Sequence, residues 1–328
     1  MRILVTGGAG FIGSNFVRYW LERHPDDRLV VLDLLTYAGN RANLDGCEVE
    51  FIEGDIADPA TVADAVAGCD VVVNFAAESH NSLAVVDPGR FFRTNVLGTH
   101  ALLEAARAAG VARFHHVSTC EVYGDLPLDS LERFSEDSPY RPRTPYNASK
   151  AGADHAVRAY FETYGLPVTI TNCSNNYGPF QFPEKVIPLF TTNALDDLPL
   201  PLYASTQNKR EWLHVLDHCT AVDLVLRSGR EGETYNVGSG VEASIEVIAD
   251  RVLALTGKPA SLKQIVADRP GHDRRYLLDS TKIREELGWH EAYEFDRGLE
   301  ETVAWYAQHR DWWSPLKDRA PVEETAWR

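Results

Sequence analysis

No apolar run in this 328-residue chain approaches the roughly 18 residues that a membrane-spanning helix requires, so a span of that kind is excluded. Cysteine is sparse and unpatterned. Cys47, Cys69, Cys120, Cys173 and Cys219 are odd in number, with no CxxC and no Cys/His zinc spacing, which excludes a disulfide framework and a thiolate metal centre. At least four of them read as buried thiols in a reducing cytoplasm. Positive charge is also short: 32 Lys+Arg stand against 48 Asp+Glu, a net charge of -16. That balance argues against general affinity for nucleic acid or an anionic membrane, while leaving room for local Arg/Lys sites that take a diphosphate. Internal repeats and low-complexity tracts are missing, and Met1-Arg2-Ile3-Leu4-Val5 reads as a strand rather than a leader. What remains, 44% apolar and 24% charged, is the composition of a soluble protein with a sizeable core.

The first 175 residues alternate short apolar runs with helical periodicity. Strands are predicted at Ile3–Thr6, Leu29–Leu32, Val49–Ile52, Val71–Phe75, Arg113–Ser118 and Val168–Asn172. Helices are predicted at Phe11–Arg23, Pro59–Ala67, Pro88–Ala109 and Pro145–Tyr164. Strict β/α alternation implies an α/β fold with a doubly wound parallel sheet. Beyond Tyr177 the pattern fragments, with prolines at 179, 183, 188, 199 and 201. Brief strands are expected at Glu211–Val215, Thr234–Val237 and Arg275–Leu278. Helices are expected at Asp217–Ser228, Ile245–Thr256, Ser280–Leu287 and Phe295–His309, and the tail from Trp312 is expected to be extended. This reads as a dinucleotide-binding domain over 1–175, with strands from about 210–238 returning to its sheet. A smaller, mixed α/β substrate region covers 176–328.

Gly7-Gly8-Ala9-Gly10-Phe11-Ile12-Gly13 falls between the first strand and the first helix. Glycines there permit a tight turn and let a pyrophosphate approach free N–H groups at the helix N-terminus. Asp33 ends the second strand, where a carboxylate accepts both ribose hydroxyls and repels a 2′-phosphate, so NAD is expected rather than NADP. Asp55 and Ile56, after the third strand, are placed to meet the adenine.

Downstream, Ser118-Thr119-Cys120-Glu121 leaves the fifth strand and Tyr146-Asn147-Ala148-Ser149-Lys150 opens a helix. Tyr and Lys four apart share a helix face, where an ammonium depresses a phenol's pKa. That pair suits oxidation of an alcohol. The adjacent thiol and carboxylate of Cys120 and Glu121 suit elimination of water. Sheets of this kind bind ligands beyond their strands' C-terminal ends, where Ser118 through Glu121 would emerge.

These fragments resemble the extended short-chain dehydrogenase/reductases, a Rossmann-fold family, and within it the nucleotide-sugar 4,6-dehydratases, above all those acting on dTDP-glucose. The likeness runs through Thr6–Gly13 (TGGAGFIG), Thr36–Asn40 (TYAGN), Ala76–His80 (AAESH), Thr94–Thr99 (TNVLGT), Tyr146–Lys150 (YNASK), Asn175–Pro179 (NNYGP), Pro183–Lys185 (PEK), Arg210–Trp212 (REW) and Asp268–Tyr276 (DRPGHDRRY). The resemblance implies that NAD is retained through oxidation at C4, loss of water across C5 and C6, and hydride return to C6. Tyr146 would take the C4 hydroxyl proton, Lys150 would support it and hold the nicotinamide ribose, Thr119 would bind the C4 oxygen and Glu121 would remove the C5 proton. It extends the cofactor site to Gly7, Gly10, Phe11, Ile12, Gly13, Asp33, Leu34, Thr36, Asp55, Ile56, Phe75, Ala76, Ala77, Ser79, Thr94 and Asn176. It assigns the nucleotide sugar to Ser79, His80, Thr119, Asn175, Lys185, Arg210, Arg269 and His272, with the base against Leu202-Tyr203. It also implies a homodimer formed through the Pro88–Ala109 and Pro145–Tyr164 helices.

The chain departs from that pattern in three places. Those dehydratases usually carry, where Cys120 stands, an Asp that protonates the leaving hydroxyl. A thiol is a weaker acid, slowing the step by about tenfold at a Brønsted slope near one half. Cys120 thus reads either as that acid or as a packed thiol beside the pocket, in which case Glu121 itself would shuttle the C5 proton to the departing oxygen. Asn81-Ser82-Leu83-Ala84-Val85 replaces a V-D-R-S-I segment, and Ile245 stands where an Asn usually meets the nucleotide. Thr119-Cys120-Glu121 also resembles the tripeptide of a 5,6-dehydratase that returns hydride to C4 and leaves a 5,6 double bond. A 4-epimerase, which does not need Glu121, and a catalytically silent NAD sensor complete the alternatives.

Overall fold

The computed structural model describes residues 1–268 and 270–319. The chain runs β1 (Arg2–Thr6), α1 (Phe11–Arg23), β2 (Arg28–Asp33), β3 (Glu50–Glu53), α2 (Pro59–Val66), β4 (Val71–Asn74) and α3 (Asn81–Val86). A long helix follows in three parts: α4 (Pro88–Phe91), a π-helical turn over Phe92–Gly98, and α5 (Thr99–Ala109). Then come β5 (Arg113–Thr119), a 3-10 turn (Cys120–Tyr123), α6 (Pro145–Tyr164) and β6 (Val168–Cys173).

β1, β2, β4, β5 and β6 are short and almost wholly buried, as central parallel strands must be, though β5 and β6 bury His115, His116, Thr169, Thr171 and Asn172 among their apolar residues. Their side chains alternate between two cores. Leu4, Leu32, Val72, Phe114 and Ile170 face α2, α5 and α6, while Ile3, Val5, Val31 and Val73 face α1 and α8 (Val215–Ser228). Local chemistry sets the helix ends. Thr144 caps α6 by accepting from the Asn147 N–H with Pro145 in the first turn, and Gly165 closes the helix at φ 67°.

The sheet has seven parallel strands in the order β10-β6-β5-β4-β1-β2-β3, where β10 is Thr234–Val237. The chain winds outward in both directions from β1 and β4, which leaves a crevice at their C-terminal ends. The doubly wound parallel sheet expected from the alternation is therefore present. Among the described residues no helix is long and apolar enough to cross a membrane, and no cluster of three or more His, Cys, Asp or Glu is arranged to hold a metal ion.

The C-terminal part adds β7 (Asn175–Tyr177), α7 (Val186–Leu195), β8 (Leu200–Tyr203), β9 (Lys209–His214), β11 (Glu242–Ser244), α9 (Ile245–Thr256), β12 (Lys263–Val266), α10 (Thr281–Leu287), α11 (Phe295–Gln308) and α12 (Arg310–Lys317). Tyr177, Ile187, Phe190, Leu202, Trp212, Ile248 and Leu299 share its core.

Three expectations need correction here. β10 joins the parallel sheet, but β9 does not; it pairs with β7 and β11 in a separate three-stranded sheet. Arg275–Leu278 forms no ladder. Its backbone is satisfied by loops instead: Leu126 N donates to Arg275 O, Phe134 N to Leu277 O, and Leu278 N to the Glu211 carboxylate. Residues 310–317 are helical rather than extended, because Trp313 and Leu316 bury against the body and outweigh Pro315. Residues 320–328 lie outside the described part of the tail.

Candidate active site

A cavity of about 480 Å³ opens at the C-terminal ends of the parallel strands. At one end lies the glycine turn. Gly7 has φ 68°, and a Cβ there would stand 2.6 Å from Ala76 N; at Gly13 a Cβ would stand 2.2 Å from Gly7 O. Only glycine lets α1 begin this close to β1 and β4. No side chain caps α1 at Gly10, so its first-turn N–H groups are left for a ligand. Asp33 accepts from Ala9 N at 2.9 Å through one oxygen and from Leu35 N at 2.8 Å through the other, and each oxygen keeps a second lone pair. Burial nevertheless raises its carboxyl above the ordinary range. An uncapped helix terminus beside a fixed carboxylate fits the pyrophosphate and ribose of a dinucleotide. Every residue expected to hold the cofactor lines this cavity.

Thr119, Glu121, Tyr146 and Lys150 line the same space. The 3-10 turn after β5 begins with the Glu121 N–H bonded to the Thr119 hydroxyl at 3.2 Å, which turns Glu121 toward the cavity. Asn81 donates to Glu121 Oε2 at 3.2 Å and accepts from the Thr144 hydroxyl at 3.3 Å, so it links the carboxylate to the cap of α6. Tyr146 is pushed well above its usual pKa, first by burial and then by the charge of Glu121, with a Thr119 hydrogen bond opposing. Lys150 Nζ donates to Val117 O at 2.8 Å and lies 3.4 Å from His116 Nε2. The expected acidification of Tyr146 by Lys150 is thus not what governs the phenol here; burial and Glu121 dominate it.

At the other end, Arg210 donates to Lys209 O at 2.7 Å and to Asp273 O at 2.8 Å, and its guanidinium lies 4.8 Å from the centre of the Tyr276 ring. Lys185 Nζ donates to Ser79 O at 3.0 Å and lies 3.5 Å from Glu184 Oε1. Tyr276 donates its hydroxyl proton to Asn175 Oδ1, and Tyr203 packs edge-on to His272 at 5.1 Å. Ser79, His80, Asn175, Lys185, Tyr203, Arg210 and His272 all face the cavity.

The chain matches the GDP-mannose 4,6 dehydratase family over residues 4–302. It belongs to that family. Among relatives of this family member, dTDP-glucose 4,6-dehydratase of Streptomyces niveus is 49% identical, over 99% of this chain and 98% of that protein. The dTDP-glucose 4,6-dehydratase of Mycobacterium tuberculosis is 48% identical, over 97% of each. In structure, the Streptomyces venezuelae dTDP-glucose 4,6-dehydratase solved with NAD superposes at a TM-score of 0.94, with 51% identity over 96% of this chain and 100% of that one. A Thermus thermophilus UDP-glucose 4-epimerase solved with NAD gives 0.88 at 34% identity, over 94% of this chain and 100% of its own.

Two expectations drawn from the family pattern are corrected by the geometry. Cys120 does not line the cavity. It is 1% exposed and packs with Val122, Tyr123, Ala151, Tyr276 and Leu278, and burial pushes its thiol well above the usual range. Leu202 likewise belongs to the C-terminal core; along β8 the alternating residues Pro201 and Tyr203 are the ones that meet the cavity. Arg269 lies outside the described residues. Tyr37, Glu78 and Glu184 are cavity residues to which the sequence assigned no role, and Asn81, which opens the departing 81–85 segment, lines the cavity with them. Tyr37 OH donates to Glu184 Oε1 at 2.8 Å, and His80 Nε2 lies 3.2 Å from Glu184 Oε2, which joins the TYAGN, AAESH and PEK fragments in one cluster. Their shared order in the chain was the available signal.

Proposed function

We propose that the protein is an NAD-dependent hydro-lyase, a dTDP-glucose 4,6-dehydratase that converts its nucleotide sugar to the 4-keto-6-deoxy product. The observation that carries this reading is the opening of Tyr146 and Glu121 into one cavity with the uncapped glycine turn and Asp33. NAD, when bound, supplies the acceptor and later the donor of hydride. Asp33 would hold its adenosine ribose and Lys150 its nicotinamide ribose.

Tyr146 takes the proton of the C4 hydroxyl, and Thr119 holds the C4 oxygen by hydrogen bond. The Lys150 ammonium offsets the phenolate charge that burial otherwise opposes. A ketone at C4 makes the C5 proton acidic, and Glu121 removes it. Because the Cys120 thiol is turned into the core, the same Glu121 carboxyl delivers that proton to the departing C6 oxygen, which leaves as water. Arg210, Lys185, Asn175 and His272 take the diphosphate, with the base against Tyr203; a buried guanidinium already fixed on two carbonyls binds phosphate with little further ordering.

Residues 1–175 serve as the dinucleotide domain, completed by β10, and the remainder serves the nucleotide sugar. The enzyme is cytoplasmic and acts as a homodimer through α4–α5 and α6, a surface on which Phe92, Leu97 and Tyr164 stand exposed.

Incubation with dTDP-glucose tests the reading: a 4-keto-6-deoxy product is expected, and inertness toward dTDP-, UDP- and GDP-sugars alike overturns it. Vinyl protons in the NMR spectrum of the product would favour the 5,6-dehydratase outcome that the Thr119-Cys120-Glu121 tripeptide suggests.

A further inference from the structure

Beside Lys150 the buried polar side chains of Asp154, His116 and Ser118 form a cluster. Asp154 follows Lys150 by one helical turn of α6 and is 0% exposed. Its Oδ2 accepts from the Ser118 hydroxyl and from the Tyr140 hydroxyl, each at 2.9 Å. Its Oδ1 has no hydrogen-bond partner within ordinary distance but lies 3.4 Å from His116 Nε2.

The tautomer of His116 follows from its neighbours. The Thr6 hydroxyl donates to Asn74 Oδ1 at 2.6 Å, and Asn74 Nδ2 donates to the Thr99 hydroxyl at 3.3 Å. This turns the Asn74 amide nitrogen toward His116 Nδ1 at 3.1 Å, so Nδ1 accepts. The imidazole is neutral, its pKa taken down to about 4 by burial and by Lys150, and its proton therefore sits on Nε2. That N–H faces Asp154 Oδ1. The Ser118 and Tyr140 hydroxyls donate to its other oxygen. A ring nitrogen that carries a proton cannot also accept from Lys150, so the ammonium bonds to Val117 O and finds its counter-charge in Asp154.

We propose that Asp154, with His116 lodged between it and Lys150, is a positioning residue that keeps Lys150 in its ammonium form for the Tyr146 proton transfer. The inference rests on the dehydratase reading for its purpose, but not for its test. Burial alone pulls the Lys150 ammonium below its usual range, and Asp154 is the first group opposing that. The other titratable neighbours are known. Cys173 of β6 also faces Lys150, and Tyr146 stands on its own helix. Tyr140 and Tyr123 face Asp154 from the segments after β5, and Arg158 acts on both tyrosines from the next turn of α6. Asp154 is the fully buried carboxylate in this set.

Only seven lysines occur in the chain, so Lys150 can be followed by side-chain NMR in the ligand-free protein, assigned with Lys150→Met. Asp154→Asn removes the charge and keeps the shape. It is expected to lower the Lys150 titration by about one pH unit or more. The alkaline limb of kcat should move down by the same amount, with KM for the sugar nucleotide unchanged. A role confined to packing would move neither titration nor limb, and an unchanged Lys150 titration overturns the proposal. Should the Asn variant fail to fold, Asp154→Ser removes the same charge with a smaller side chain. It should lower the Lys150 titration likewise, and no drop overturns the proposal equally. A protein inert on every nucleotide sugar would sink the dehydratase reading while leaving the Lys150 titration to decide this one.

Discussion

At the glycine-turn end of the cavity, the lining groups belong largely to backbone and to short stretches that each follow a strand: Gly7–Gly13 after β1, Asp33 closing β2, Asp55 after β3, and Phe75–Ser79 after β4. At the Arg210 end they are side chains from segments far apart in sequence, held by hydrogen bonds that cross between loops. Glu211 joins Gly240 N and Leu278 N through its two oxygens, the latter at 3.0 Å, and the Arg275 guanidinium sits on the Glu242 carboxylate. The contrast suggests what each end tolerates. The first end should fail when backbone approach is obstructed, and the second when a buried carboxylate loses its charge or its partners.

The largest expected effect lies where the two ends meet. Glu121→Gln should lower formation of the 4-keto-6-deoxy product by about a hundred- to ten-thousand-fold. Reduced cofactor should still appear, because Tyr146 and Thr119 are intact; absorbance of the bound nicotinamide checks this. Loss of both signals together would mean that Glu121 serves the oxidation as well.

Next is the carboxylate staple at the far end. Burial raises Glu211 from 4.5 to about 7, against the two N–H bonds that favour its charged form. A carboxyl whose folded value is raised stabilises the fold fully at low pH and loses that contribution as pH rises toward 7. Relative to Glu211→Gln, which does not titrate, the wild-type protein should therefore lose about 3 kcal/mol between pH 4.5 and 7 and little beyond. Urea unfolding of both proteins across that range measures the difference. A flat difference would mean that the two N–H bonds hold the carboxylate charged at no cost.

At the glycine end, Gly13→Ala should destabilise by about 2–3 kcal/mol and weaken NAD binding, because its Cβ meets the Gly7 backbone oxygen rather than a side chain able to move. Thermal unfolding and NAD titration report this. An unaffected protein would show that the turn is less rigid than its packing implies. The smallest effect is expected for Cys120→Ser, which should change kcat by less than about threefold, since a packed thiol touches no reacting atom. A tenfold loss would restore Cys120 as the acid.

These ends also differ in how far the sequence discloses them. The parallel sheet and the glycine turn are legible because strand and helix periods alternate over long stretches and each expected cofactor contact sits next to the element that carries it. The C-terminal part is less so. β7, β8, β11 and β12 are three or four residues long, and their partners lie far off in the chain. Arg275–Leu278 looks like a strand but spends its hydrogen bonds on loops and on Glu211. Of the two readings of Cys120, the packed thiol holds for a local reason. In a 3-10 turn successive side chains point about 120° apart, so neighbours in sequence cannot share a surface, and Glu121 takes the cavity while Cys120 takes the core. Leu202 obeys the alternation of β8, which the sequence did contain.

The π turn at Phe92–Gly98 sets the aim of everything around it. Asn95 within it accepts from Glu78 N at 2.9 Å and donates to Ser149 Oγ at 2.8 Å, while Thr94 reaches the cavity. Trimming one residue from that wide turn would regularise the helix and rotate its N-terminal stretch by about 100° against α5. Thr94 and Asn95 would then swing away from the cofactor cradle, so the helix keeps an awkward girth because a tidier one would point the wrong way.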